Sequence, residues 1–118
     1  MQTEKPVFVQ IMEMIEDDIL SDTYHANDLI ISTPQISKLL SVNPTTAQRA
    51  ISVLTDRGIL YKKRGVGMAV TEEAKDMILR ERKQVFYESA VPGFINGAHK
   101  IGITDEELLQ IVKEYLHD

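Results

Sequence analysis

Neither cysteine nor tryptophan occurs in the 118 residues. The first absence excludes a disulfide framework, thiol chemistry and Cys-ligated zinc. The second, with only three Phe and four Tyr, leaves a core to be built from Ile, Leu, Val and Met. No run approaches the roughly 18 apolar residues of a membrane-spanning helix, and residues 1–6 carry no signal-peptide pattern. A soluble cytoplasmic protein with no membrane partner is therefore expected. His25, His99 and His117 are scattered, and none has a second His at helical spacing, so they read as surface residues rather than metal ligands. The carboxylates fall on helix faces where solvation accounts for them, and no nucleophile–base set is visible. The chain is expected to be no enzyme, with no catalytic residue, metal or cofactor.

What is present is the composition of an ordinary globular domain, 43% hydrophobic and 26% charged, which argues against disorder. The charge is unevenly placed. Residues 30–71 hold six basic residues against one acid, a net +5, whereas residues 1–29 sum to −6 and residues 72–118 to −4. An acidic chain that gathers positive charge in one segment is a candidate to bind a polyanion there.

That segment also carries the clearest structural signals. Before it, Ile11, Met12, Ile15, Ile19 and Leu20 recur at helical spacing, with Glu13, Glu16, Asp17 and Asp18 on the other face. The spacing predicts an amphipathic helix over roughly 8–21 with a solvated acidic side. Leu29-Ile30-Ile31 suits a short strand. Ser32 with Gln35 forms a capping-box pattern for a second helix that buries Ile36, Leu39 and Leu40. Asn43-Pro44 opens a third, with Asn at the N-cap and Pro in the first turn. Ala47, Ala50, Ile51 and Leu54 point inward from it, and Gly58 ends it. Residues 59–64 and 68–70 are strands joined by Gly65-Val66-Gly67.

Residues 71–73 cap a further helix whose apolar face includes Met77, Ile78, Val85 and Phe86. Pro92-Gly93 should kink or break it. Helical spacing resumes to Gly102, and Thr104 to Glu107 is the capping box of a last helix. The fold expected is mainly α with a small β-hairpin: a winged helix-turn-helix over 1–71, then a helical dimerisation tail over 72–118.

Side chains at the start of a recognition helix reach base edges in the major groove. Thr45, Thr46 and Gln48 can donate and accept there, a Thr methyl can meet a thymine methyl, and Arg49 can read a base or hold a phosphate. Lys38 is a second phosphate anchor. Lys62, Lys63 and Arg64, beside the flexible Gly65-Val66-Gly67 tip, suit a wing that tracks the backbone or reaches the minor groove. The partner expected is a double-stranded DNA operator. The competing reading is a winged-helix protein-interaction module without specific DNA binding, favoured by the acidic first helix.

The ordered set of residues 6–11 (PVFVQI), 40–50 (LSVNPTTAQRA), Leu54, 57–60 (RGIL), 64–67 (RGVG) and Val70 resembles the GntR family of bacterial transcription regulators. The match covers roughly residues 6–71. Asn43-Pro44 and the short helical tail look like the YtrA subfamily. The resemblance implies a homodimeric, operator-binding winged helix, usually a repressor and often linked to transporter genes. It implies a DNA-facing set of Asn43, Thr45, Thr46, Gln48 and Arg49, with Arg64, Gly65, Val66 and Gly67 in the wing; Ser32 joins it at the start of the second helix. The chain departs from the family at one place. A family Leu-Pro-Ser followed by an Arg two residues later reads here Ile30-Ile31-Ser32 and Pro34. Either Lys38 supplies that charge or the operator differs. No residue cluster identifies a small-molecule effector.

Overall fold

A computed structural model of the chain describes residues 5–117; the outer limits of the two expected domains and most of the signal-peptide reading lie outside the described residues. The chain divides between Leu79 and Arg80 into two compact units. In the first, α1 (Val7–Leu20) buries Ile11, Met12, Ile15 and Ile19, spaced one helical turn apart. Burying each such side chain stabilises the fold by about 1.5–3 kcal/mol. The same face carries Glu16, at 6% exposure, so the expected solvated acidic side is wrong at that residue. Its carboxylate lies 3.0 Å from the Arg57 guanidinium, which replaces the lost water.

α2 (Thr33–Leu40) begins on the expected capping box: Ser32 Oγ accepts from the Gln35 N–H, and Gln35 Oε1 accepts from the Ser32 N–H. Only Ile36 is fully buried from this helix. Leu39 is 69% exposed and Leu40 38%, against expectation. α2 packs chiefly on α3 (Pro44–Asp56), so an eight-residue helix has one inward side chain rather than a stripe. The link between them turns through Ser41, which adopts φ 54°, and the Ser37 hydroxyl donates to the Val42 carbonyl. Asn43 Oδ1 then accepts from the Thr45 N–H at 2.8 Å and starts α3, with Pro44 in the first turn where no N–H is needed. α3 ends as expected. Gly58 takes φ +81°, its N–H donates to Thr55 O, and the Ile59 N–H donates to Leu54 O, the two bonds of a Schellman stop.

β1 (Leu60–Lys63) and β2 (Gly67–Val70) pair antiparallel, Leu60 opposite Val70 and Lys63 opposite Gly67. On the other edge of β2 the expected strand at 29–31 is a single bridge, Leu29 to Ala69. It has no room to lengthen between Asn27, at φ 70°, and the Ser32 cap of α2. Thr71 does not cap the next helix with its side chain; its hydroxyl donates to Gly58 O. α4 (Ala74–Val85) follows, and Ala74 and Ile78 are buried in the core of the first unit.

The second unit holds no break at Pro92-Gly93. A π-helical turn, Phe86–Ala90, leads directly into α5 (Val91–Lys100). The Val91 N–H donates to Phe86 O, five residues back, so the widened turn absorbs the residue that Pro92 cannot accommodate in an α-helical ladder. Gly102, at φ +79°, closes α5, and the Thr104–Glu107 capping box opens α6 (Asp105–Leu116). Ala98 and Leu108 are the buried pair of this unit. Val85, Phe86, Phe94 and Leu109 are exposed, contrary to the apolar face expected to bury Val85 and Phe86. No helix among the described residues is long and apolar enough to cross a membrane.

Candidate nucleic-acid interface

α3 presents two faces. Ala47, Ala50, Ile51 and Leu54 are sealed in the core, and that fixes which side chains point away from it. Thr45, Gln48, Arg49 and Ser52 are exposed, and Thr46 is half-buried. The helix therefore offers hydroxyl, amide and guanidinium groups on its free side, beginning at an N-terminus whose partial positive charge favours phosphate.

Gln48 is held from two sides. Its Oε1 accepts from the Thr33 hydroxyl at 3.1 Å, and its Nε2 donates to Ser52 Oγ at 3.3 Å. A glutamine amide has two lone pairs and two N–H bonds, so one acceptor and one donor remain for a partner. Asn43 and Ser32 are differently engaged, since their side-chain oxygens cap α3 and α2. Asn43 keeps its Nδ2 donors; Ser32 keeps its hydroxyl proton.

α3 feeds straight into the hairpin, and β1 packs on α3. Lys62, Lys63, Arg64, Gly65, Val66 and Gly67 are all exposed, and Gly65 at the tip adopts φ +74°. Gly67 lies beside the 29–31 segment, where a Cβ would meet Leu29 Cδ2 at an ordinary van der Waals distance of 3.7 Å. Lys38 is exposed in the last turn of α2. Among the described residues, none of Lys38, Arg49, Lys62, Lys63 and Arg64 has a salt-bridge partner, whereas Arg57 is paired with Glu16. The sixth cation of the basic segment is thus paired within the fold, with its side chain 30% exposed. Five uncompensated cations remain on the same unit as the polar face of α3.

Three contacts here were beyond sequence reasoning: Glu16 with Arg57, Thr33 with Gln48, and the Arg49 guanidinium carbon 4.0 Å over the centroid of the Phe8 ring. Each joins residues far apart in the chain, and periodicity within one helix says nothing about which neighbour lies across it.

Two of the histidines lie beside carboxylates within their own units. His25 lies 3.4 Å from Asp28, and His99 Nε2 lies 2.6 Å from Asp105 Oδ1 in the second unit. No group of three side chains able to hold a metal occurs among the described residues. Also in the second unit, an apolar groove of about 570 Å³ is lined by Phe86, Phe94, Ile95, Leu108, Leu109 and Val112 among others.

No protein-family model matches the chain. It is similar over nearly its whole length to a GntR family transcriptional regulator from Listeria monocytogenes, with 31% identity, 97% of this chain and 98% of the other covered, and a TM-score of 0.75. The HTH-type transcriptional repressor YtrA of Bacillus subtilis is 26% identical, covering 99% of this chain and 89% of its own. The AraR DBD, solved in complex with operator ORR3, shares the fold over 60% of this chain and 86% of its own, at 24% identity and a TM-score of 0.57.

Proposed function

The chain belongs to the GntR family of transcription regulators, and from that premise we propose that it represses transcription by binding an operator in double-stranded DNA as a homodimer. The observation that carries this reading is the coincidence, on one unit, of an exposed Thr45–Gln48–Arg49 face and five cations without acidic partners. α3 enters the major groove by its N-terminal turns. Thr45, Thr46 and Gln48 face base edges, while Arg49, Lys38 and the Asn43 amide hold the flanking backbone. The wing, Lys62 to Gly67, follows the phosphates beside it, and the Ser32 hydroxyl lies at the start of the supporting helix. The AraR DBD, whose fold is shared over 60% of this chain, is solved in complex with an operator, which supports DNA as the partner.

Pro34 occupies the place of the arginine common in the family, so this chain takes its backbone charge on that helix from Lys38. Repression follows the likeness to YtrA, and transporter genes are the targets the YtrA subfamily suggests. The exposed apolar groove of the second unit is the surface through which two copies associate, by α5 and α6. A two-fold dimer then reads two half-sites about 34–36 Å apart, or a multiple of that spacing. The protein works in the cytoplasm with its DNA.

Selection of bound duplexes from a random pool, followed by gel shift across a salt series, tests this. The expected result is one enriched, two-fold-related sequence whose complex weakens steeply with salt. A protein-interaction module would enrich nothing and form no salt-sensitive complex.

A further inference from the structure

Arg49 is the cation of α3, yet its environment is not that of a free surface arginine. Its guanidinium carbon sits 4.0 Å over the centroid of the Phe8 ring, which belongs to the first turn of α1. We infer that Phe8 is a positioning residue for DNA recognition: its ring holds Arg49 in the orientation that contacts the operator. The inference rests on the DNA-binding reading above and adds to it a residue outside the helix-turn-helix.

The physical basis is what this contact uses and what it leaves. A ring face attracts the cation through its quadrupole and takes none of its N–H bonds. The five donors of the guanidinium fork therefore stay available for a phosphate or a guanine edge. Arg49 has neither an ion pair nor a hydrogen bond from its side chain among the described residues. A carboxylate partner would hold it equally well but would occupy the donors and cancel the charge.

The platform itself is fixed. The Val9 and Gln10 N–H groups both donate to Pro6 O, and Gln10 Nε2 donates to Lys5 O at 2.7 Å. Phe8 is half-buried and packs against the core of the first unit. A long arginine otherwise free in solution loses rotamer freedom when it docks. Here much of that ordering is complete before DNA arrives, which is the effect of preorganisation on affinity.

The test is a double-mutant cycle on a duplex selected by the wild-type chain from a random pool, read by fluorescence anisotropy. Phe8→Leu keeps an apolar side chain and removes the ring face. It should weaken binding about two- to fivefold, the factor an exposed cation–π contact carries. In an Arg49→Ala background the same substitution should have no effect, and Phe8→Tyr and Phe8→Trp should bind as the wild type does. In the free protein, the Arg49 side-chain protons should be shifted upfield by the ring current in the wild type and in Phe8→Tyr, and not in Phe8→Leu. Equal losses from Phe8→Leu with and without Arg49 would overturn the inference and leave the DNA-binding reading standing. Failure of the wild type to enrich or retain any duplex would overturn both.

Discussion

Gln48 shows how much a single side chain can be constrained by its neighbours. With one lone pair given to the Thr33 hydroxyl and one N–H to Ser52, its amide has an acceptor and a donor left. That pair matches the adenine edge, N7 accepting and N6 donating, and mismatches guanine, which presents two acceptors. Gln48→Ala should cost about 1–3 kcal/mol of discrimination at one A·T position of the operator. Thr33→Val, which removes the hydroxyl and keeps the shape, should relax preference at that same position and no other. Comparing selected sequence logos for the two variants checks this, and relaxation at unrelated positions would contradict it. The buried pair of Glu16 and Arg57 is a stability device rather than a recognition one. Arg57→Met should lower unfolding free energy by about 1–3 kcal/mol in urea melts, since it removes the counter-ion of a carboxylate that is 6% exposed. The cost stays below that of a fully buried pair because the Arg57 side chain is itself 30% exposed.

Elements were legible where local chemistry decides them. Ser32 with Gln35, Asn43-Pro44, Gly58 and Thr104 with Glu107 each mark a helix end with groups that bond within a few residues, and all of these ends stand where the pattern places them. The inward face of α3 was legible for the same reason, because its period alone separates Ala47 and Leu54 from Gln48 and Arg49. What could not be read depends on partners across space. Leu39 and Leu40 look like core until α2 is seen to rest on α3 through Ile36. The turn at Pro92 looks like a break until a π-helical turn is seen to absorb it. Glu16 looks solvated until Arg57 arrives beside it.

Two predictions belong at this scale. Gly58→Ala should destabilise the first unit by about 1–2 kcal/mol, because a Cβ is strained at φ +81°, and its thermal midpoint should fall accordingly. The α6 cap should be acid-labile. Glu107 is held below its ordinary carboxyl pKa, first by the Thr104 backbone N–H and then by the Thr104 hydroxyl, so its contribution is full above about 4.5 and is lost as pH falls through the lowered value. Asp22, lowered chiefly by its hydrogen bond from Lys75, acts with the same sign in the first unit. The doubly substituted Asp22→Asn, Glu107→Gln chain should lose less thermal stability than the wild type when acidified from pH 5 to about pH 3.

At the scale of the whole molecule, a chain with net charge −5 is proposed to bind a polyanion, and the resolution lies in where its charges go. Acids concentrate on residues 1–29 and 72–118, one of them consuming Arg57, while the five remaining cations of residues 30–71 stay uncompensated. Such a distribution favours a directed encounter with DNA and opposes indiscriminate adhesion. The proposed association through the second unit would double the cationic surface. Phe94→Glu with Leu109→Glu, at exposed positions lining the apolar groove, should give a monomer in sedimentation and weaken operator binding at least tenfold, with folding unchanged by circular dichroism.

The central claim is that the α3 face and the wing together grip operator DNA. Its most direct test is anisotropy with the selected duplex, from about 50 to 200 mM salt, for the wild type and for Arg49→Ala combined with Arg64→Ala. The wild-type slope of log K against log salt should approach about −4.5 per protomer, from five uncompensated cations. The double variant should bind well over tenfold more weakly with a shallower slope, since each such contact is worth about 1–3 kcal/mol. Equal affinity and equal slope for the two proteins would contradict the account.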